Sequence, residues 1–168
     1  MLRPGESVLF DNSTTALECA RAIDPEARFT FYTTSLQAAQ ILSKCSDSVI
    51  YCSGGFFFQD SKGFVGQQAE QFVENVSADV CVIGASGISL KNGITTPYPM
   101  HTALQKKIIA ASKRRILGAD HSKFGKNAME HIGPLSDVDV IVTDSGISAE
   151  LLEQYRREVP IEIAEKEN

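Results

Sequence analysis

Short apolar runs alternate along this chain with stretches whose apolar residues recur at helical spacing. Ser7-Val8-Leu9-Phe10, Phe29-Thr30-Phe31-Tyr32 and Val49-Ile50-Tyr51-Cys52 read as strands, because they are short and rich in β-branched and aromatic residues. Between them, residues 14–24 carry Leu17, Ala20 and Ile23, and residues 36–45 carry Leu36, Ala39, Leu42 and Cys45, each set on one helical face. Phe56-Phe57-Phe58 and Phe64-Val65 flank Gln59-Asp60-Ser61-Lys62-Gly63 and predict a β-excursion around a tight turn. A helix is expected over 66–76, with Ala69, Phe72, Val73 and Val76 inward, and Val80-Cys81-Val82-Ile83 is the strongest buried-strand pattern. A long loop then carries Gly84, Gly87, Gly93, Pro97 and Pro99, and a helix near 102–112 places Leu104, Ile108 and Ala111 on one face. Ile116-Leu117 and Val138 to Val142 read as strands, a helix near 149–157 starts after the capping residue Ser148, and Ile161-Glu162-Ile163 closes the sheet.

Strands alternating with helices predict a three-layer, mostly parallel α/β sheet of the Rossmann-like kind. At 168 residues the chain fits one domain, 1–168, with no internal repeat or long linker. No apolar run reaches the roughly 18–20 residues of a membrane span, and no signal-peptide pattern opens the chain. A net charge of −5 argues against this chain gripping DNA by itself, because non-specific affinity comes from cations neutralising phosphates. Lys106, Lys107, Lys113, Arg114 and Arg115 form a basic segment that reads as a solvated helix face. Cys19, Cys45, Cys52 and Cys81 form no CxxC pair and read as small buried hydrophobes, in keeping with a reducing, cytoplasmic setting.

In such sheets ligands bind beyond the carboxyl ends of the strands. The turns there read Asp11-Asn12-Ser13-Thr14-Thr15, Thr33-Thr34-Ser35, Ser53-Gly54-Gly55, Gly84-Ala85-Ser86-Gly87 and Gly118-Ala119-Asp120-His121-Ser122-Lys123. All are small, hydroxyl-bearing or glycine-rich, which suits backbone N–H groups and helix N-termini approaching an anion. The same residues also simply terminate strands and cap helices, so their common placement is what points to a ligand. Asp11 could accept from sugar hydroxyls, or order its own turn. Asp120 and Lys123, three apart, can point into one space as ligand contacts or as a surface ion pair. His101, His121 and His131 show no metal-ligand spacing, so no metal or cofactor is expected; His121 adjoins the supposed pocket, and His101 falls at its mouth.

The succession Asp11-x-Ser13-Thr14-Thr15, Thr34-Ser35-Leu36, Gly54-Gly55, Gly66, Gly84-x-x-Gly87-Ile88, Gly93-x-Thr95 and Ala119-Asp120-His121-Ser122-Lys123-Phe124-Gly125 resembles the sensor domain of DeoR-type bacterial transcriptional repressors, over about residues 3 to 160. The resemblance implies a fold like ribose-5-phosphate isomerase, glucosamine-6-phosphate deaminase and CoA transferases. It implies a phosphorylated sugar as effector, a homo-oligomer that responds to it, and no catalysis. It nominates Asp11, Ser13, Thr14, Thr15, Thr34, Ser35, Gly54, Gly55, Gly87, Asp120 and Lys123 as the pocket. Ser13 stands where the family usually has Gly, and Thr34 where it usually has Asn, departures that bear on ligand choice. The family's helix-turn-helix is expected to be absent from this chain, leaving operator DNA to that missing region.

The main rival is a sugar-phosphate isomerase or deaminase on the same fold; a second is a pure oligomerisation module, which would leave the five polar turns without a common purpose. Isomerisation needs a general base near the sugar carbons. The isomerases carry an Asp-Gly-Ala-Asp-Glu type motif after a central strand, whereas Gly84-Ala85-Ser86-Gly87-Ile88 holds no carboxylate. The expected mechanism docks phosphate on Ser13-Thr14-Thr15 and Thr34-Ser35, with Lys123 as counter-charge. Sugar hydroxyls then meet Asp11 and Asp120, and residues 87–99 close over the ligand.

Overall fold

The alternation of apolar runs and helical stretches folds as one parallel sheet with helices on both faces. The computed structural model describes residues 1–164. The chain runs through β1 (Ser7–Phe10), α1 (Thr14–Arg21), β2 (Thr30–Thr33), α2 (Leu36–Leu42) and β3 (Val49–Cys52). A hairpin of β4 (Phe56–Phe58) and β5 (Gly63–Val65) precedes α3 (Gln67–Glu74) and β6 (Ala78–Gly84). Then come β7 (Gly87–Ser89), β8 (Gly93–Thr96), α4 (Pro99–Ala110), β9 (Ser112–Gly118), β10 (Glu130–Gly133), β11 (Val140–Thr143), α5 (Ala149–Arg156) and β12 (Ile161–Ile163). The main sheet has the order β12-β11-β9-β6-β1-β2-β3, and all its pairings are parallel.

Two cores, one on each face, hold the layers together. On one face α1 and α2 set Ala16, Ala20, Ala38 and Leu42 against Val8, Phe10, Phe31 and Val82. On the other, α3, α4 and α5 set Val73, Leu104, Ile108 and Tyr155 against Leu9, Cys81, Ile83 and Leu117. Successive residues of a strand face opposite layers, so a strand covered on both sides must be apolar throughout. β6, at the centre, is buried at every position but Asp79. Ser13, Ser35 and Ser148 start α1, α2 and α5, their hydroxyls accepting from Ala16, Ala38 and Leu151 N–H.

Three expectations are corrected. The segment after β6 is no open loop: β7 and β8 pair antiparallel with each other and with β10 as a small second sheet. Those strands are three or four residues of Gly, Ile, Ser and Thr, too short and too polar to carry a periodic signal. The basic segment does not lie on one helix face, because β9 begins at Ser112 and takes Lys113, Arg114 and Arg115 into the sheet. There Lys113 meets Asp79 (2.8 Å), Arg114 meets Glu6 (3.0 Å) and Arg115 meets Asp139 (3.0 Å). Finally, Cys52 is exposed while Cys45 and Cys81 are buried, because β3 forms the sheet edge, with Val49 and Tyr51 also half exposed. No helix of the described residues is long and apolar enough to cross a membrane.

Tyr155 fastens the small sheet to the main body. Its buried hydroxyl donates to the Ile88 carbonyl and accepts from Gly125 N–H, both at 3.0 Å. Tyr155→Phe should lower unfolding free energy by about 0.5–1.5 kcal/mol, since the two hydroxyl bonds are lost while Gly125 N–H still donates to the Ile88 carbonyl at 2.8 Å. Denaturant unfolding of the two proteins checks this.

Candidate functional site

The strand order reverses between β1 and β6: β2 and β3 continue to one side of β1, while β9, β11 and β12 continue beyond β6. Connections leaving two such neighbours diverge and open a crevice at their carboxyl ends. A cleft of about 270 Å³ lies there. Its lining comes from the turn after β1, the turn after β6, the turn after β9, the β4–β5 hairpin and α4.

Asp11 builds the floor. Its carboxylate accepts from Ser13 N–H (2.9 Å) and Ser13 Oγ (2.6 Å) through one oxygen. Through the other it accepts from Gly84 N–H (3.0 Å) and Gln105 Nε2 (2.9 Å). One side chain thus joins the start of α1, the end of β6 and the middle of α4. It is only 1% exposed, and burial pushes its carboxyl above the ordinary value despite these donors.

Glycines at the strand ends let α1 sit directly on the sheet. A Cβ at Gly84 would collide with Ser13 Oγ, and one at Gly118 would come within 2.6 Å of Thr15 Cγ2. Gly63, in the hairpin, likewise lies against Asn12, whose amide donates to Ser61 Oγ at 3.1 Å. The N-terminal turn of α1 is therefore clamped between the ends of β6 and β9. Thr14 and Thr15, its first two residues, line the cleft, where the first N–H groups of a helix have no intrahelical partner.

Of the residues nominated from sequence, Ser13, Thr14, Thr15, Asp120 and Lys123 come together in this cleft. Asp11 lies beneath it, its oxygens already committed. Thr34 and Ser35 are drawn away. Phe64 N–H donates to the Thr34 carbonyl at 2.7 Å, and Ser35 bridges to Gly63, so the turn after β2 carries the hairpin instead. Gly54 and Gly55, at φ +62° and +109°, turn the chain from the edge strand β3 into that hairpin. A Cβ at Gly87 would meet the Lys126 carbonyl at 2.7 Å, so this glycine allows close packing of the small sheet. Residues 87–99 are also unsuited to closing as a lid. Thr95 Oγ1 donates to Gly87 O (3.0 Å) and accepts from Ala128 N–H (2.9 Å), and every residue of β7 and β8 is buried.

Sequence reasoning missed Asn12, Asp60, Ser61, Tyr98 and Gln105, and set His101 only at the mouth. Gln105 follows His101 by one helical turn, a spacing visible in the chain but carrying no signal without the sheet order. Lys123 is the cation among the described lining residues, accompanied by Asp60 and Asp120. Its Nζ stands 3.8 Å from Asp120 Oδ2. Hydrogen bonds from Ser122, aided by Lys123, hold the Asp120 carboxyl below the usual range. Burial holds His101 below the ordinary imidazole value, with Asp11 opposing.

Two neighbouring features lie outside this cleft. A larger hollow of about 470 Å³, shared at Thr14, Thr15 and Asp120, is walled mostly by apolar side chains such as Cys19, Val82, Ile116 and Val142. It offers few groups to orient a polar ligand. Asp120, His121 and Asp144 bring potential metal-ligand atoms within 4.8 Å of one another. Asp144 already accepts from His121 Nδ1 (2.8 Å) and from His121 and Gly146 N–H groups (2.8 and 2.7 Å), and Asp120 from Ser122 N–H (2.8 Å).

The family model for the DeoR C-terminal sensor domain matches residues 1–145. The chain is 35% identical to the transcriptional repressor AccR of Agrobacterium fabrum over 147 residues, covering 87% of this chain and 57% of that protein. It is 29% identical to a putative aga operon transcriptional repressor of Escherichia coli O157:H7, covering 94% and 58%. It is 28% identical to the HTH-type transcriptional regulator GlpR of Haloferax volcanii, covering 91% and 60%. The chain thus spans between 57% and 60% of the length of these relatives. Among solved structures it is similar to the tetrameric eIF2B-beta2-delta2 complex from C. thermophilum, with TM-score 0.54 and 12% identity over 83% of this chain and 50% of that one. That likeness is one of fold.

Two outcomes test the site's construction. Asp11→Ala strands Gly84 N–H and Ser13 N–H and leaves the Gln105 amide only its bond to the Gly84 carbonyl, and should cost about 3–5 kcal/mol in denaturant unfolding. For His101, the unfolded chain takes up a proton near the ordinary value of 6.5 while the folded chain resists it. Stability should therefore fall as pH drops below 6.5. Unfolding measured against pH should show this fall in the wild type and lose that component in His101→Phe.

Proposed function

The chain belongs to the family of DeoR C-terminal sensor domains, and from that premise we propose that its effector is a phosphorylated sugar held in the cleft beside α1. The observation that carries this reading is the N-terminal turn of α1, which lines the cleft with Thr14 and Thr15 while Lys123 lines it too. Unpaired N–H groups, hydroxyls and a helix N-terminus make a site for an anion, and Lys123 adds a full counter-charge. Asp60 and Asp120 would repel a phosphate and accept hydroxyls, so they belong with the sugar.

The domain acts as a sensor and not as an isomerase. The relatives bear the names of transcriptional repressors and regulators. Asp11, the carboxylate nearest the centre of the floor, is saturated by donors within the protein and has no lone pair to spare for a substrate proton. The turn after β6 adds no other carboxylate.

In the whole repressor, ligand binding would bias a homo-oligomer and through it a helix-turn-helix that holds operator DNA. A ligand does this only by binding the two arrangements with different affinity. The exposed edge strand β3, with Val49 and Tyr51, and the neighbouring Phe56 offer a surface for self-association.

The test is titration calorimetry of this chain against sugars and their phosphate esters, with each binder checked for turnover. Phosphate esters should bind and survive unchanged. Lys123→Ala should weaken them by about 1.5–3 kcal/mol, roughly tenfold to a hundredfold. Its melting temperature should match the wild type, since its contact to Asp120 is long and solvent-exposed. Binding only of unphosphorylated sugars, or consumption of the ester, would defeat the reading.

A further inference from the structure

His101 Nε2 and Gln105 Oε1 are buried polar atoms with no hydrogen-bond partner among the described residues. His101 is 7% exposed and Gln105 5%, and both line the cleft. They lie four residues apart on α4, hence on one helix face. The orientation of the Gln105 amide is settled by its neighbours. Its nitrogen donates to Asp11 Oδ2 (2.9 Å) and to the Gly84 carbonyl (3.0 Å), both acceptors, so Oε1 must be the free end. Leaving such atoms unpaired in a protein interior is costly, and native proteins rarely do so without reason.

Aromatic rings adjoin these atoms. Phe58 and Tyr98 have ring centroids 5.7 and 5.2 Å from that of His101. This end of the cleft therefore combines apolar surface with an acceptor-only oxygen and an imidazole nitrogen.

We propose that His101 and Gln105 form the specificity-determining end of the cleft, which reads hydroxyl groups on an uncharged part of the ligand. The proposal rests on the effector reading above and gives that ligand a direction. Its anionic end lies at Thr14, Thr15 and Lys123, and its hydroxylated end against α4. Gln105 Oε1 can only accept, so it selects a hydroxyl and rejects a carboxylate or phosphate. The Asp11 carboxylate behind Gln105 adds like-charge repulsion against an anion there. Burial favours the neutral form of His101, and a neutral imidazole nitrogen pairs with a hydroxyl as donor or acceptor. A second phosphate at this end would be excluded, so a sugar bisphosphate should bind worse than its monophosphate.

The test measures affinities of wild type, His101→Phe and Lys123→Ala for hexose 6-phosphates, their deoxy analogues, the matching unphosphorylated hexoses, hexose bisphosphates and inorganic phosphate. His101→Phe keeps an aromatic ring in the wall and removes the nitrogen. It should weaken the hexose monophosphates that bind wild type by about tenfold or more and leave inorganic phosphate within about twofold, because a site built for a hydroxyl suffers when the pair is lost. Lys123→Ala should weaken both. On the wild type, at least one deoxy analogue should lose a similar factor, a comparison that stands even if His101→Phe fails to fold.

The outcomes separate the two readings. Unchanged hexose-phosphate affinity in His101→Phe, or a bisphosphate that binds better than its monophosphate, overturns the hydroxyl-reading end and leaves the anion site standing. Failure of Lys123→Ala to weaken any ester, together with His101-sensitive binding of an unphosphorylated hexose, supports the hydroxyl-reading end and removes the phosphate. No binding of any hexose, phosphorylated or not, overturns both.

Discussion

A single carboxylate organises the cleft at the carboxyl ends of the strands. Asp11 stands at the end of β1, at the point where the strand order diverges, and accepts four hydrogen bonds from three different elements. The charged form would be expensive to bury alone, and the donors exist because something must compensate it. The reward is geometric. With α1, β6 and α4 tied to one group, the cleft walls cannot move independently, and Ser13 is held where it caps α1 and seats its first turn on Gly84.

Around that anchor the cleft has two unlike ends. One is the opening of α1, with its free N–H groups and with Lys123 standing beside Asp120. The other is the buried face of α4, where an acceptor and an imidazole lie among aromatic rings. Such asymmetry is what a ligand with one charged and one hydroxylated end would require. The β4–β5 turn, joined to Asn12 through Ser61, borders the space between them. A sensor needs binding to be felt elsewhere. Of the elements gathered at the cleft, α4 also packs on β8 and β10 of the small second sheet, which gives a bound effector a rigid body to act on in the proposed reading.

The departures from the sequence reading share one physical cause. Thr34 and Ser35 look like a ligand-binding turn, but the backbone groups of that turn are spent on the hairpin that packs beside it. Gly87 looks like a phosphate-cradling glycine, but it makes room for a carbonyl and a threonine side chain. The Lys113-Arg114-Arg115 run looks like a free basic face, but each cation meets an acid brought from elsewhere in the chain. In every case the residue type was right for two jobs, and only its neighbours in space chose between them.

The sequence by itself determined the layered α/β architecture and most of the helices and parallel strands. These depend on local periodicity and on apolar runs that must be covered on both faces, and both are written in consecutive residues. It also marked the turns after β1 and β9, because capping serines and small hydroxyl residues are local necessities at the start of a helix. Tertiary structure alone decided which turns share a cleft, since that follows from strand order. It likewise decided the burial of Asp11 and the pairing of Gln105 with it. Those two side chains stand 94 residues apart, and no short-range pattern can encode a hydrogen bond whose partners meet only after the sheet has formed.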